Sequence, residues 1–177
     1  PSRVVAIPNG IDLERFPRTA RDARAGGMHI GCVARLSEEK GVDLLLHAVA
    51  DMPGVSLSVI GSGRDEGYLR TIISEIERAE GASRFSMAPS ADLAAFYATI
   101  DVLVLPSRDN DPFGLVAAEA MAVGVPVIVT DACGIAGYLR DGVNAVIVPA
   151  GDVRTLSQGI EYVLDPAVRE RLSAEGM

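Results

Sequence analysis

A chain of 177 residues, 49% hydrophobic and 23% charged, is long enough to bury one core without disulfide or metal staples and has the size of one domain. Its formal net charge of −8 argues against a nucleic-acid partner, which calls for a basic face, although two or three local cations can still hold an anionic small molecule in a cleft. The two cysteines, Cys32 and Cys133, lack metal-ligand spacing and read as reduced, cytoplasmic packing residues, and no apolar run reaches the roughly 18–20 residues of a membrane helix.

The chain opens on "PSRVVAIPNGID", without an initiator Met and without the basic-then-apolar pattern of a secretory signal, which hints at a fragment. Residues 1–27 read as one strand followed by an irregular, charged, Gly-rich connection arriving from something upstream. Short β-rich runs then alternate with amphipathic stretches. "MHIGCVA" (28–34), "VSLSVI" (55–60), "DVLVLP" (101–106), "PVIVT" (126–130) and "NAVIVP" (144–149) predict strands, with "RFSMA" (84–88) a weaker sixth. Several are apolar on consecutive positions, as in strands buried on both faces. Between them, apolar residues at 42, 45, 46 and 49, at 69, 72, 73 and 76, and at 153, 156, 160 and 163 repeat with a helical period. "ADLAAFYATI", "LVAAEAMAVG" and "DPAVRERLSAEG" complete the helical set. Strand–helix–strand repetition with short links predicts an α/β fold: a Rossmann-like three-layer sandwich around a mostly parallel sheet of about six strands.

Ligands of open α/β sheets bind at the carboxyl ends of the strands, so the residues that follow each strand are the candidates. After the first comes "RLSEEKG", where Arg35 and Lys40 sit five apart with Lys40 opening the next helix. Two cations beside a helix N-terminus suit phosphates; with Glu38 and Glu39 between them, a solvated surface pair is the alternative. After the second comes "GSGRDEG", where Gly61 and Gly63 would let backbone approach a ligand. A dinucleotide fingerprint is disfavoured there, because the run follows an inner strand and no acid ends the next one.

The stretch after "DVLVLP", "DNDPFGLVAAEAM", leaves several readings open. Asp109 and Asp111 could hold a divalent metal. Asp111-Pro112 could be a helix N-cap and first helical residue. With a rise of about 1.5 Å per residue, Asp111 and Glu119 would stand roughly 8–12 Å apart, long for two ligands of one metal and suited to the two ends of one bound molecule. His29 and His47 read as structural or surface residues. No nucleophile elbow, paired-histidine spacing or P-loop is present.

Taken in order, "IPNGIDLERF" (7–16), "VARLSEEKG" (33–41), "VIGSG" (59–63), "DVLVLPS" (101–107), "DPFGLVAAEAMAVGVPVIVT" (111–130), "DGVNAVIVPAGD" (141–152) and "LDPAVRERLSAEG" (164–176) resemble the C-terminal half of group 1 (family 4) retaining glycosyltransferases of the GT-B fold. The resemblance implies that residues 1–177 form the donor-binding Rossmann-like domain of a nucleotide-sugar transferase, with 1–27 as interdomain connection and the N-terminal acceptor domain absent. It implies Arg35 and Lys40 on the diphosphate, Asp111 on the transferred sugar, and Glu119 on the ribose. Main-chain groups of Phe113, Gly114, Leu115 and Val116 would meet sugar or phosphate, with Gly61 and Met87 also at the donor and Met87 beside the base. Catalytic weight falls on Asp111, Arg35 and Lys40, with no metal and no other cofactor.

Departures from the family pattern are Asp111 where Glu is usual, Ala34 in place of Gly, and "CGIAGYLR" (133–140) without the Pro-Glu that often follows this Gly-Ile. The implied partners are a nucleotide-diphosphate sugar, the missing N-terminal domain, and a glycan or lipid-linked acceptor, but no nucleic acid. The expected location is cytoplasmic, with the missing half able to reach the inner membrane. Alternatives are a GT-B-like sugar-nucleotide epimerase, a non-catalytic nucleotide-sugar-binding module, and a metal-dependent transferase using Asp109 and Asp111.

Overall fold

The computed structural model describes residues 9–18, 27–81, 83–109 and 111–176. The strand expected in the first few residues lies outside them; residues 9–18 run without helix or strand. All six expected strands of the body form: β1 Met28–Val33, β2 Val55–Ile60, β3 Phe85–Ala88, β4 Val102–Leu105, β5 Val127–Thr130 and β6 Val146–Val148. They build one sheet in the order β3-β2-β1-β4-β5-β6, and every pairing is parallel. Every residue of β4 and β5 is buried, which is why those segments read as unbroken apolar runs.

Alternation along the strands separates two cores. On one side Val102, Val104 and Ile128 pack with Leu45 and Leu46, Leu69 and Ile72, Leu156 and Ile160, and Leu172. These come from α1 Val42–Val49, α2 Glu66–Glu80, α5 Val153–Tyr162 and α6 Pro166–Glu175. On the other side Leu103, Leu105, Val127 and Val129 pack with Phe96 and Tyr97 of α3 Leu93–Tyr97 and with Ala117 and Ala120 of α4 Leu115–Ala122. The helix starts are locally encoded. Asp92, Asp152 and Asp165 cap α3, α5 and α6 by accepting backbone N–H groups of the first turn, and Pro166 follows its cap directly.

Two elements differ from expectation. The helix expected over residues 91–100 is only five residues long, because the chain must turn immediately into β4; Thr99 Oγ1 donates to the Phe96 carbonyl at 2.7 Å in that turn. Asp111 is not a helix cap. The cap of α4 is Gly114, with φ +90°, and residue 111 is held in the preceding loop. Its N–H donates to the Ala132 carbonyl at 3.2 Å, and its carbonyl accepts from Gly134 N–H at 2.8 Å.

The adjacent strands β1 and β4 send their helices to opposite faces, α1 to one core and α4 to the other. The chain therefore parts at their carboxyl ends, and that is where an open α/β sheet leaves a crevice.

Candidate functional site

A cleft of about 340 Å³ occupies this point. Val33, Ala34 and Arg35 line it from the end of β1, and Leu105, Pro106 and Ser107 from the end of β4. Lys40 enters from a 3-10 turn, Glu38–Lys40, that precedes α1. Asp111 and the run from Pro112 to Val116 close the far wall, and Asn9 reaches the cleft from the N-terminal segment.

Lys40 Nζ lies 2.9 Å from Asp111 Oδ2, with the two side chains only 16% and 14% exposed. Ser107 Oγ donates to the same carboxylate oxygen at 3.2 Å. An ammonium has three hydrogens, so this pair leaves Lys40 able to meet an anion in the cleft. Arg35 stands at the rim: its side chain is 68% exposed and its guanidinium donates to Glu39 Oε1 at 2.8 Å. Glu39 also accepts from Arg64 at 3.5 Å. The surface-pair geometry and the cleft position thus coexist at Arg35. Opposite, α4 begins behind Gly114, and its first residues, Leu115 and Val116, line the cleft. A helix start carries unpaired donors and partial positive charge.

Glu119 is not in the wall of the cleft. It sits three residues beyond Val116 on α4 and so shares that residue's helix face, one turn deeper. Its Oε2 accepts from the Tyr97 hydroxyl at 2.9 Å. Burial, reinforced by the Glu119 charge and hydrogen bond, pushes the Tyr97 phenol far above its usual range. Gly61 and Met87 also lie off the cleft. The structure accounts for Gly61 through its own backbone: a Cβ there would fall 1.8 Å from the Ala34 carbonyl oxygen, and one on Gly63 would fall 2.2 Å from that of Leu36. The close approach these glycines permit is to the loop after β1. Met87 pairs with Val59 on the sheet-edge strand β3 and is half-buried against the core.

The remaining polar candidates are structural. His29 bonds Thr99 O at 2.7 Å and Ser58 Oγ at 2.8 Å, and His47 is exposed on α1. Both thiols are free and buried. Burial, with Cys133 adding to it, pushes Cys32 up to about 12, and burial also raises Cys133. Among the described residues no three His, Cys, Asp or Glu gather into a potential metal site, and Asp109 is exposed.

Sequence reasoning missed one clamp. Arg108 donates from its two terminal guanidinium nitrogens, Nη1 and Nη2, to the two carboxylate oxygens of Asp43 at 2.6 Å each, donates from Nη1 to the Glu38 carbonyl at 2.9 Å, and gives its backbone N–H to the Glu39 carbonyl at 2.8 Å. It therefore fastens the turn bearing Lys40 to the end of β4. Burial alone would raise the Asp43 carboxyl, but the Arg108 hydrogen bonds and charge outweigh it and hold it below the usual aspartate range. The signal needed was that β1 and β4 are neighbours, which spacing does not reveal.

Residues 20–176 match the family described as glycosyl transferases group 1. The chain is 31% identical over 188 residues to the D-inositol 3-phosphate glycosyltransferase of Mycobacterium marinum, a match covering 99% of this chain and 39% of that protein. The C-terminal domain of a glycosyl transferase group 1 family protein from Francisella tularensis has the same fold, with TM-score 0.82, 21% identity and 94% coverage of both chains. So does HepE of Anabaena, crystallised in complex with UDP-glucose, with TM-score 0.82, 23% identity, and coverage of 95% of this chain and 50% of that one. The chain spans less than half the length of the curated relatives it matches.

Proposed function

This chain belongs to the group 1 glycosyltransferases, and from that premise we propose that it is the donor-binding half of a retaining transferase that uses a nucleotide-diphosphate sugar. The observation that carries the reading is the convergence of Lys40, Asp111 and the start of α4 on one cleft at the sheet's switch point. A nucleotide sugar brings two negative charges on its diphosphate, and more charge collects there as the sugar leaves. A fixed ammonium and a helix N-terminus stabilise that developing charge better than they stabilise the ground state. Arg35 adds charge at the rim. In this reading Asp111 receives hydroxyls of the transferred sugar, and Glu119, one turn further along α4, those of the ribose.

In this reading no metal assists the leaving group. Departure and attack take place on the same face of the sugar, and the diphosphate oxygen takes the proton of the acceptor hydroxyl. The acceptor, a glycan or lipid-linked sugar, is held by the other half of the whole protein, so this chain by itself binds donor weakly and turns over little. No helix among the described residues is long and apolar enough to cross a membrane; a cytoplasmic setting, with any membrane contact made through the other half, is part of the proposal.

Calorimetry with UDP, GDP and ADP tests it. HepE makes UDP the first probe. One base should bind, and Lys40→Ala should weaken it about ten- to a hundredfold, the equivalent of one charge-assisted contact of about 1.5–3 kcal/mol. Glu119→Ala should weaken it too, and a chelator should leave it unchanged. Absence of binding by all three, or collapse with chelator, overturns the reading.

A further inference from the structure

Glu119 has a partner that the donor reading does not use. Tyr97, the last residue of α3, is fully buried, and its hydroxyl donates to Glu119 Oε2 at 2.9 Å. Its ring is held between two others, with the Phe16 centroid 6.0 Å away and the Phe96 centroid 6.2 Å away, both tilted. A buried phenol seeks an acceptor; here the acceptor is a carboxylate, so the bond is of the stronger, charge-assisted kind. The raised phenol pKa keeps the hydroxyl a donor at any physiological pH. No other hydrogen bond reaches the Glu119 side chain among the described residues. One carboxylate oxygen is thus tethered to a buried aromatic cluster, and Oε1 has no hydrogen-bond partner among the described residues.

We propose that Tyr97 is a positioning residue for ribose recognition: it fixes the Glu119 carboxylate so that the site selects ribonucleoside over deoxyribonucleoside diphosphates. This rests on the donor-site reading above. A carboxylate on a flexible arm loses rotamer freedom when it grips a diol. One already tethered loses less, so the benefit of the tether appears only with ligands that carry the hydroxyls. A Tyr97 that merely packed the core would affect ribose and deoxyribose ligands alike.

The experiment is calorimetric titration of the chain with whichever of UDP, GDP and ADP binds and with its 2′-deoxy and 3′-deoxy counterparts. The unmutated chain should prefer the ribose form by about tenfold or more, the scale of one hydrogen bond to a charged group. Tyr97→Phe keeps the ring and removes the hydroxyl. It should weaken the ribose form severalfold and leave the deoxy forms within about twofold, so that the preference shrinks. In a Glu119→Ala background Tyr97→Phe should change neither. An unaltered preference in Tyr97→Phe, equal weakening of both ligand classes, or further loss in the Glu119→Ala background overturns the proposal.

Should Tyr97→Phe fail to fold, the unmutated chain labelled at the tyrosine ζ-carbon supplies the readout. The Tyr97 resonance should move with the ribonucleotide and stay in place with inorganic pyrophosphate; a resonance that moves with neither, or equally with both, overturns it. If no nucleoside diphosphate binds the unmutated chain, the donor-site reading falls and this inference with it. Binding without ribose preference sinks the inference alone.

Discussion

Asp111 carries two loads. Its backbone is fixed at both N–H and carbonyl by the loop after β5, and its short side chain reaches Lys40 and Ser107 from that position. A mostly buried ammonium loses much of its hydration, which the carboxylate offsets. Asp111→Ala should therefore cost about 1 kcal/mol or more of stability, allowing for the exposure that remains. A phosphate in the cleft would restore the missing anion. Thermal melts should show nucleoside diphosphate stabilising Asp111→Ala more than the unmutated chain; a smaller shift in the variant would mean that the Lys40 ammonium does not face the phosphates. Gly61 is a second single-residue case. Its missing Cβ faces a backbone oxygen at 1.8 Å, and backbone cannot rotate aside. Gly61→Ala should lower stability by about 1–3 kcal/mol in chemical denaturation, with the loss carried by the β2–β1 loop packing. The "GSG" motif was read as a place for a ligand to approach; the group that approaches Gly61 in the fold is the chain's own Ala34.

At the scale of elements, the strands were legible because both-face burial leaves continuous apolar runs, and α1, α2 and α5 because their buried faces repeat at helical spacing. The run that forms α4, from Leu115, was legible, but its cap was not. Asp111-Pro112 has the local chemistry of a cap, but contacts to Ala132 and Gly134, some twenty residues ahead, hold it in the loop and leave the cap to Gly114. For the same reason the sequence offered Lys40 and Asp111 as candidates, which one cleft brings together, but it offered neither the Arg108–Asp43 clamp nor the Tyr97–Glu119 bond. Each joins segments that become neighbours only through sheet order.

The clamp makes a prediction of its own. Arg108→Ala frees the turn carrying Lys40, and it should both destabilise the fold by about 2 kcal/mol and weaken diphosphate binding, although Arg108 is not among the residues that line the cleft. Arg108→Lys should not rescue it, because an ammonium cannot reproduce a two-nitrogen contact with one carboxylate. The pH dependence follows from Asp43, whose carboxyl is held lower in the folded chain than in the unfolded one. Its contribution is complete above the unfolded value of about 4 and is lost as pH falls through the lower folded value. Urea denaturation should therefore show a gap between Arg108→Ala and the unmutated chain that is constant from pH 5 to 8 and narrows below about pH 4. A gap that widens on acidification would assign the stabilisation elsewhere.

For the whole molecule, charge and site pull in opposite directions. The chain carries −8, so a dianionic ligand is repelled at long range and attracted only inside the cleft. Salt acts on these two effects unequally. The Debye length falls from about 30 Å at 0.01 M to about 8 Å at 0.15 M. That removes most of the repulsion from distant surface carboxylates, whereas an attraction exerted by a side chain only 16% exposed is screened less. A site built on a basic surface loses affinity steeply as salt rises. This one should behave differently if the diphosphate is seated at Lys40 and the start of α4: between 0.02 and 0.2 M salt, titration with UDP or its tighter-binding counterpart should show affinity flat within about threefold, or slightly improved. A tenfold loss over that range would move the attraction out to Arg35 and Arg64, whose side chains are 68% and 70% exposed. The phosphates would then sit at the rim, away from the residues that converge within the cleft.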